Sequence, residues 1–137
     1  MSDSDNFDEY EVGQTDSISK TVTETDLVLF AAVTGDFNPI HVDEEYAKKT
    51  MFKGRIAHGV ISAGIISAVL AMKLPGPGSI IMEKNIKFKA PVRIGDTITA
   101  TVTITEIIKE KRIIKLHTVC TVAGKEVNTG DCTMMKP

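Results

Sequence analysis

Tryptophan is absent from the 137 residues, and aromatic side chains make up only 5% of them. No basic cluster interleaved with aromatics occurs, and the formal net charge is −2, so nucleic acid is not an expected partner. There are two cysteines, Cys120 and Cys132, without CxxC spacing. Each falls in a strand-like run, which points to buried thiols in a reducing cytosol rather than a disulfide. No apolar run is long enough for a bilayer: Val60 to Met72 falls short of the roughly 20 residues needed and carries Ser62, Gly64 and Ser67. The opening stretch, Met1 to Tyr10, is rich in Asp, Ser and Asn and lacks the apolar segment of a secretory signal. Residues 1–12 therefore read as an acidic, flexible tail, and a cytoplasmic location without membrane attachment is expected.

What is present is ordinary in bulk and concentrated in detail. Apolar residues make up 42% and charged residues 25%, which suits one soluble domain with its own core. Ser17 to Val22 alternates weakly, as a short edge strand would. Thr23-Glu24-Thr25-Asp26 offers helix-capping groups, and Leu27, Phe30, Ala31 and Thr34 follow at helical spacing up to Gly35. Asp43 reads as the cap of a second short helix, with Glu44 and Glu45 in its first turn and Lys48 and Lys49 in its last.

From Gly59 to Lys73 a helix is predicted with apolar or small residues on nearly every face, so other structure should wrap it. Leu74-Pro75-Gly76-Pro77-Gly78 stops it. Thereafter the period changes to two. Ile86, Phe88 and Ala90 alternate with lysines; Ile98, Ala100, Val102 and Ile104 alternate with threonines. Ile114 to Val122 and Val127 to Met135 flank a tight turn at Gly124-Lys125. The pattern is α+β: three or four long antiparallel strands packed on a central buried helix. The sheet edges need covering, and a homodimer is one way to do it.

The densest chemistry lies in Thr34-Gly35-Asp36-Phe37-Asn38-Pro39-Ile40-His41-Val42-Asp43. Asp36, Asn38 and Pro39 bend the chain sharply, which brings a carboxylate near an imidazole. Such a pair facing one water can work as acid and base near neutral pH. The same residues also fit a turn that does no chemistry, with His41 bonded to a backbone carbonyl. Asp36, His41 and Asp43 have no recognised metal-site spacing, and Asp43 serves better as a cap. Gly59, at the helix start, offers a backbone N–H where the dipole favours negative charge, and no side chain to keep a ligand away. It is equally a simple helix-start glycine.

The run from Thr34 through Ala47 resembles the hydratase motif of the MaoC-like (R)-specific enoyl-CoA hydratases. Phe52-Lys53-Gly54-Arg55-Ile56-Ala57-His58-Gly59 is similar to the stretch leading into that family's central helix, and the strand-rich tail follows the family's order. The resemblance implies a single hot-dog domain over residues 13–137, a curved antiparallel sheet wrapped around a central helix. It implies reversible hydration of trans-2-enoyl-CoA to (R)-3-hydroxyacyl-CoA, with no cofactor and no metal, by a homodimer. Asp36 and His41 would activate the water, Gly59 N–H would meet the thioester oxygen, and Ser67 would buttress the loop. His58 is tempting as a third catalytic group, but at a helix entrance it reads as a capping or packing residue. Lys87, Lys89 and Arg93 match either CoA phosphates or the wet face of a strand. Val60 stands where the family often has a larger apolar residue, which bears on acyl length.

Three other activities compete. A dehydratase of acyl-carrier-protein thioesters is one, although the His-Phe-Pro pattern of the single-domain bacterial enzymes is missing. A thioesterase is another. The third is a non-catalytic acyl-CoA-binding module, which would not need an Asp–His pair. The pathway served (polyester precursor supply, β-oxidation or fermentation) stays open.

Overall fold

The computed structural model describes residues 7–137; residues 1–6 of the expected tail lie outside the described residues. Its inner part corrects the expectation of a flexible tail. Phe7 is buried in the core, Tyr10 meets it edge to face at 5.6 Å, and the Tyr10 hydroxyl donates to the carbonyl of Pro75. The Arg112 guanidinium lies 4.6 Å over the Phe7 ring. Two aromatic rings in a polar stretch are enough to draw it onto the domain.

The chain begins with strand β1 (Thr15–Thr21) and helix α1 (Glu24–Thr34). Two one-turn helices follow, α2 (Pro39–Val42) and α3 (Glu44–Ala47), and then the long helix α4 (Gly59–Met72). Strands β2 (Ile80–Phe88), β3 (Thr97–Ile108), β4 (Ile113–Val122) and β5 (Lys125–Met135) complete it. All five strands form one antiparallel sheet in the order β1-β3-β4-β5-β2. Register shifts between Ile81 and Glu83, Ile104 and Glu106, and Cys120 and Thr121 mark bulges, which bend strands. The β4–β5 turn falls on Ala123 and Gly124, both with positive φ, one residue before the expected pair. Left-handed backbone at two successive residues is the turn that matches strand twist.

Helix α4 lies on the inner sheet face. Ser62, Ile65, Ile66, Val69 and Leu70 are buried in the same core as Ala100, Val102, Ile104, Leu116, Cys120 and Cys132. The helix is not wrapped on every side: Val60, Gly64, Ser67 and Ala71 form an exposed stripe. One cross-strand row sits beneath the start of α4, with Ile18 opposite Ala100, Ala100 opposite Cys120, Cys120 opposite Asn128, and Asn128 opposite Phe88. Ala100 and Cys120 are small, so they let the helix start approach the sheet closely. Further along β5, a Cβ on Gly130 would lie 1.9 Å from the carbonyl oxygen of Asn85, so that position admits only glycine.

Candidate active site

Helix α1 is started by a capping box: Thr23 Oγ1 accepts from Asp26 N–H at 3.2 Å and Asp26 Oδ2 accepts from Thr23 N–H at 2.8 Å. It ends at Gly35, whose φ of 80° only glycine adopts freely. The chain then turns as residue chemistry predicts. Asp36 Oδ1 accepts from Asn38 N–H at 3.2 Å, and Asn38 Oδ1 accepts from Ile40 N–H at 3.2 Å. Asn38 thereby caps α2, with Pro39 in its first turn, and His41 stands on that short helix rather than in an open loop. Asp43 caps α3 through Tyr46 N–H at 3.2 Å, as expected.

His41 and Asp36 are brought together at the start of α4. The Nδ1 of His41 lies 2.8 Å from the carbonyl oxygen of Ile56. A carbonyl only accepts, so this nitrogen carries the hydrogen and Nε2 keeps its lone pair. Asp36 and His41 are both half-buried, so both can meet solvent or a ligand. Ligand atoms of Asp36, His41 and His58 all lie within 4.8 Å of one another. The two imidazoles, however, are stacked 4.0 Å apart at 29°, and His58 Nε2 is taken up by the carbonyl of Asp36 at 3.0 Å. The lone pairs of two stacked rings lie in two separate planes one above the other, a poor arrangement for meeting on one ion. The donor set therefore fits proton transfer better than metal coordination.

Gly59 is the first residue of α4, and its N–H has no acceptor among the described residues. Beneath it, Asn128 Nδ2 donates to Ser62 Oγ at 2.8 Å, and Ser62 Oγ donates to the carbonyl of Gly59 at 2.7 Å. This relay ties the first turn of the helix to the sheet. A Cβ on Gly59 would come within 3.0 Å of the Phe88 ring, so the glycine leaves room that a side chain would contest. A cavity of about 300 Å³ opens here, lined among others by His58, Gly59, Ser62, Phe88, Lys89 and Asn128. Val60 turns away from it into an apolar groove of about 430 Å³ shared with Leu29, Phe30 and Val33.

Other expected residues stand elsewhere. Ser67 is exposed, and by helix geometry it points about 140° around α4 from the buried Ser62. The serine bonded to the first turn of α4 within the chain is Ser62. His58 does not cap α4, since its side chain makes no capping bond. Lys89 pairs with Glu126 at 3.1 Å and Arg93 donates to the carbonyl of Phe52. Ser62 and Asn128 went unnoticed in the sequence. Asn128 lies in phase with the inward Cys132 and Met134, so an amide on the core side of a strand was the available signal.

The family model for the MaoC like domain matches residues 9–129. The chain belongs to the MaoC-like family. Among its relatives, a protein of Rhodospirillum rubrum called (R)-specific enoyl-CoA hydratase is 55% identical over 131 residues, covering 96% of this chain and 91% of its own. A 3-hydroxybutyryl-CoA dehydratase of Methylorubrum extorquens is 44% identical, over 96% of this chain and 83% of that one. Among solved structures, the (R)-hydratase of A. caviae involved in PHA biosynthesis aligns with a TM-score of 0.90 at 37% identity, over 93% of this MaoC-like chain and 98% of that one. The five-stranded sheet and its central helix are the hot-dog fold of these hydratases.

Proposed function

We infer that this protein is a hydro-lyase that adds water reversibly across trans-2-enoyl-CoA to give (R)-3-hydroxyacyl-CoA. The observation that supports the reading is the grouping of Asp36 and the bare Nε2 of His41 against His58, the residue that precedes Gly59 and the first turn of α4. Its relatives named as enoyl-CoA hydratase and 3-hydroxybutyryl-CoA dehydratase describe the two directions of this one reaction.

In the hydration direction, Asp36 and His41 hold a water molecule. An O–H bond breaks as the water oxygen bonds to the β-carbon, and the proton passes to the Asp36–His41 pair. The π electrons of the double bond move toward the thioester oxygen, where Gly59 N–H and the positive end of α4 stabilise the developing enolate. The Asp36–His41 pair then returns a proton to the α-carbon of the enolate, which restores the pair. Dehydration runs the same steps backwards, with acid and base exchanged. Lys89, which lines the cavity and pairs with Glu126, is the cation proposed to meet a CoA phosphate. The enzyme is proposed to work in the cytoplasm as a homodimer; no helix among the described residues is long and apolar enough to cross a membrane.

The test follows loss of the conjugated absorbance of crotonyl-CoA. Asp36→Asn and His41→Ala should each lower kcat by about 10² to 10⁴, the usual weight of a positioned acid or base. Wild-type rates in both variants would falsify the assignment.

A further inference from the structure

We propose that His58 is a positioning residue for this reaction, holding the Asp36–His41 pair in register through a hydrogen bond to one member and a ring stack on the other. The proposal rests on the hydration reading above and adds to it a residue that touches no reacting atom.

His58 is 2% exposed and stands at the N-cap position of α4 without capping it. Three parts of the site meet on it. Its Nε2 lies 3.0 Å from the carbonyl oxygen of Asp36, its ring stacks on His41 at 4.0 Å, and its own peptide bond leads to Gly59. Phe30 of α1 packs against it at 4.6 Å, tilted by 47°. The column Phe30–His58–His41 therefore ties α1, the start of α4 and α2 together. Because a carbonyl only accepts, the hydrogen of His58 sits on Nε2.

The other nitrogen shows why this residue is not mere packing. His58 Nδ1 is buried with no hydrogen-bond partner among the described residues. A buried polar atom without a partner is unfavourable, and a phenylalanine would fill much the same space without one. What the imidazole adds over a phenyl ring is one donor, and that donor is aimed at the backbone of Asp36. Its carbonyl belongs to the residue whose carboxylate must face the water, so the bond fixes where that carboxylate starts. The stack does the complementary job. With Nδ1 of His41 tied to Ile56 and its face against His58, the His41 ring cannot swing its Nε2 away from the water site. A group held in a near-attack arrangement contributes to turnover, and small misplacements there are costly.

Three variants separate the two contacts. His58→Ala loses both, His58→Phe keeps the ring, and His58→Gln keeps an N–H near the position of Nε2. With crotonyl-CoA, His58→Ala should lower kcat about 100-fold and the other two by intermediate factors, with KM within about threefold of wild type throughout. Wild-type kcat in His58→Phe overturns the proposal, and so does a rise in KM with kcat unchanged, which would mark a substrate contact. Nitrogen-15 spectra of the wild-type imidazoles read the geometry directly, whether or not the variants fold. His58 should carry its hydrogen on Nε2 and His41 on Nδ1; hydrogen on Nδ1 of His58 overturns the proposal. A wild-type protein inert toward crotonyl-CoA but with these two tautomers would instead sink the hydration reading and leave the positioning geometry standing.

Discussion

Cys120 and Cys132 behave as small core hydrophobes. Both are buried and unpaired with each other, and burial pushes both thiols up, that of Cys132 to about 11. Thiolate is the reactive form, so neither should react in the folded protein at neutral or mildly alkaline pH. Folded enzyme mixed with an aromatic disulfide reagent at pH 8 should release almost no chromophore, whereas unfolded enzyme should release the equivalent of both thiols. Fast labelling of the folded form would contradict the burial described above. The burial of these thiols was legible from alternation, which puts side chains of a strand on a known face. The partners of His58 and Asn128 were not legible in that way. His58 meets Asp36 across 22 residues and Asn128 meets Ser62 across 66, and such pairings come from fold and register, which no local pattern encodes.

Among the elements, α1 shows how a terminus far from the reaction supports it. The same helix carries Phe30 against His58 and ends at the glycine before Asp36. Replacing its cap, Thr23→Ala, should lower stability by about 1 kcal/mol, read as a shift in urea midpoint at unchanged m-value. Its capping-box partner brings a pH dependence. The Lys20 side chain, 2.7 Å away, and the N–H of Thr23 hold the Asp26 carboxyl below the ordinary carboxylate range. A carboxyl with a lowered folded pKa stabilises the fold fully above its unfolded value, and that contribution is lost as pH falls through the folded value. Asp26→Asn should therefore cost stability at pH 7 and progressively less as the pH drops below 4 or so. Unfolding midpoints of both proteins that stay equally spaced from pH 7 to the acid limit would contradict this. The cap of α1, its glycine stop and the cap of α3 were all legible in the sequence, because they depend on neighbours a few residues away. The single turn of α2 was not, being too short to show a period.

For the whole molecule, the two edges of the sheet differ. Edge strand β1 presents threonine, serine, aspartate and lysine, which discourage further pairing, while β2 opens with Ile80, Ile81 and Met82, each about half exposed. The open stripe of α4 offers a second apolar surface. A second copy is thus expected to meet β2 and α4 rather than β1. Sedimentation at micromolar concentration should give twice the chain mass, and Ile81→Lys should weaken association by about tenfold or more, roughly the 1.4 kcal/mol equivalent of a tenfold change. A monomer under those conditions would remove the proposed assembly. The fold class and the role of the long helix could be read from alternation and apolar runs, since they rest on periodicity. Which helix face stays open could not, because α4 is apolar or small almost all round.

The row Ile18–Ala100–Cys120–Asn128–Phe88 bears on how such an enzyme can be altered. Its middle members set the height of the helix start above the sheet, and so the location of the Gly59 N–H relative to Asp36 and His41. Larger residues at Ala100 or Cys120 would lift that N–H away from the place proposed for the thioester oxygen, and the whole fold would transmit the error.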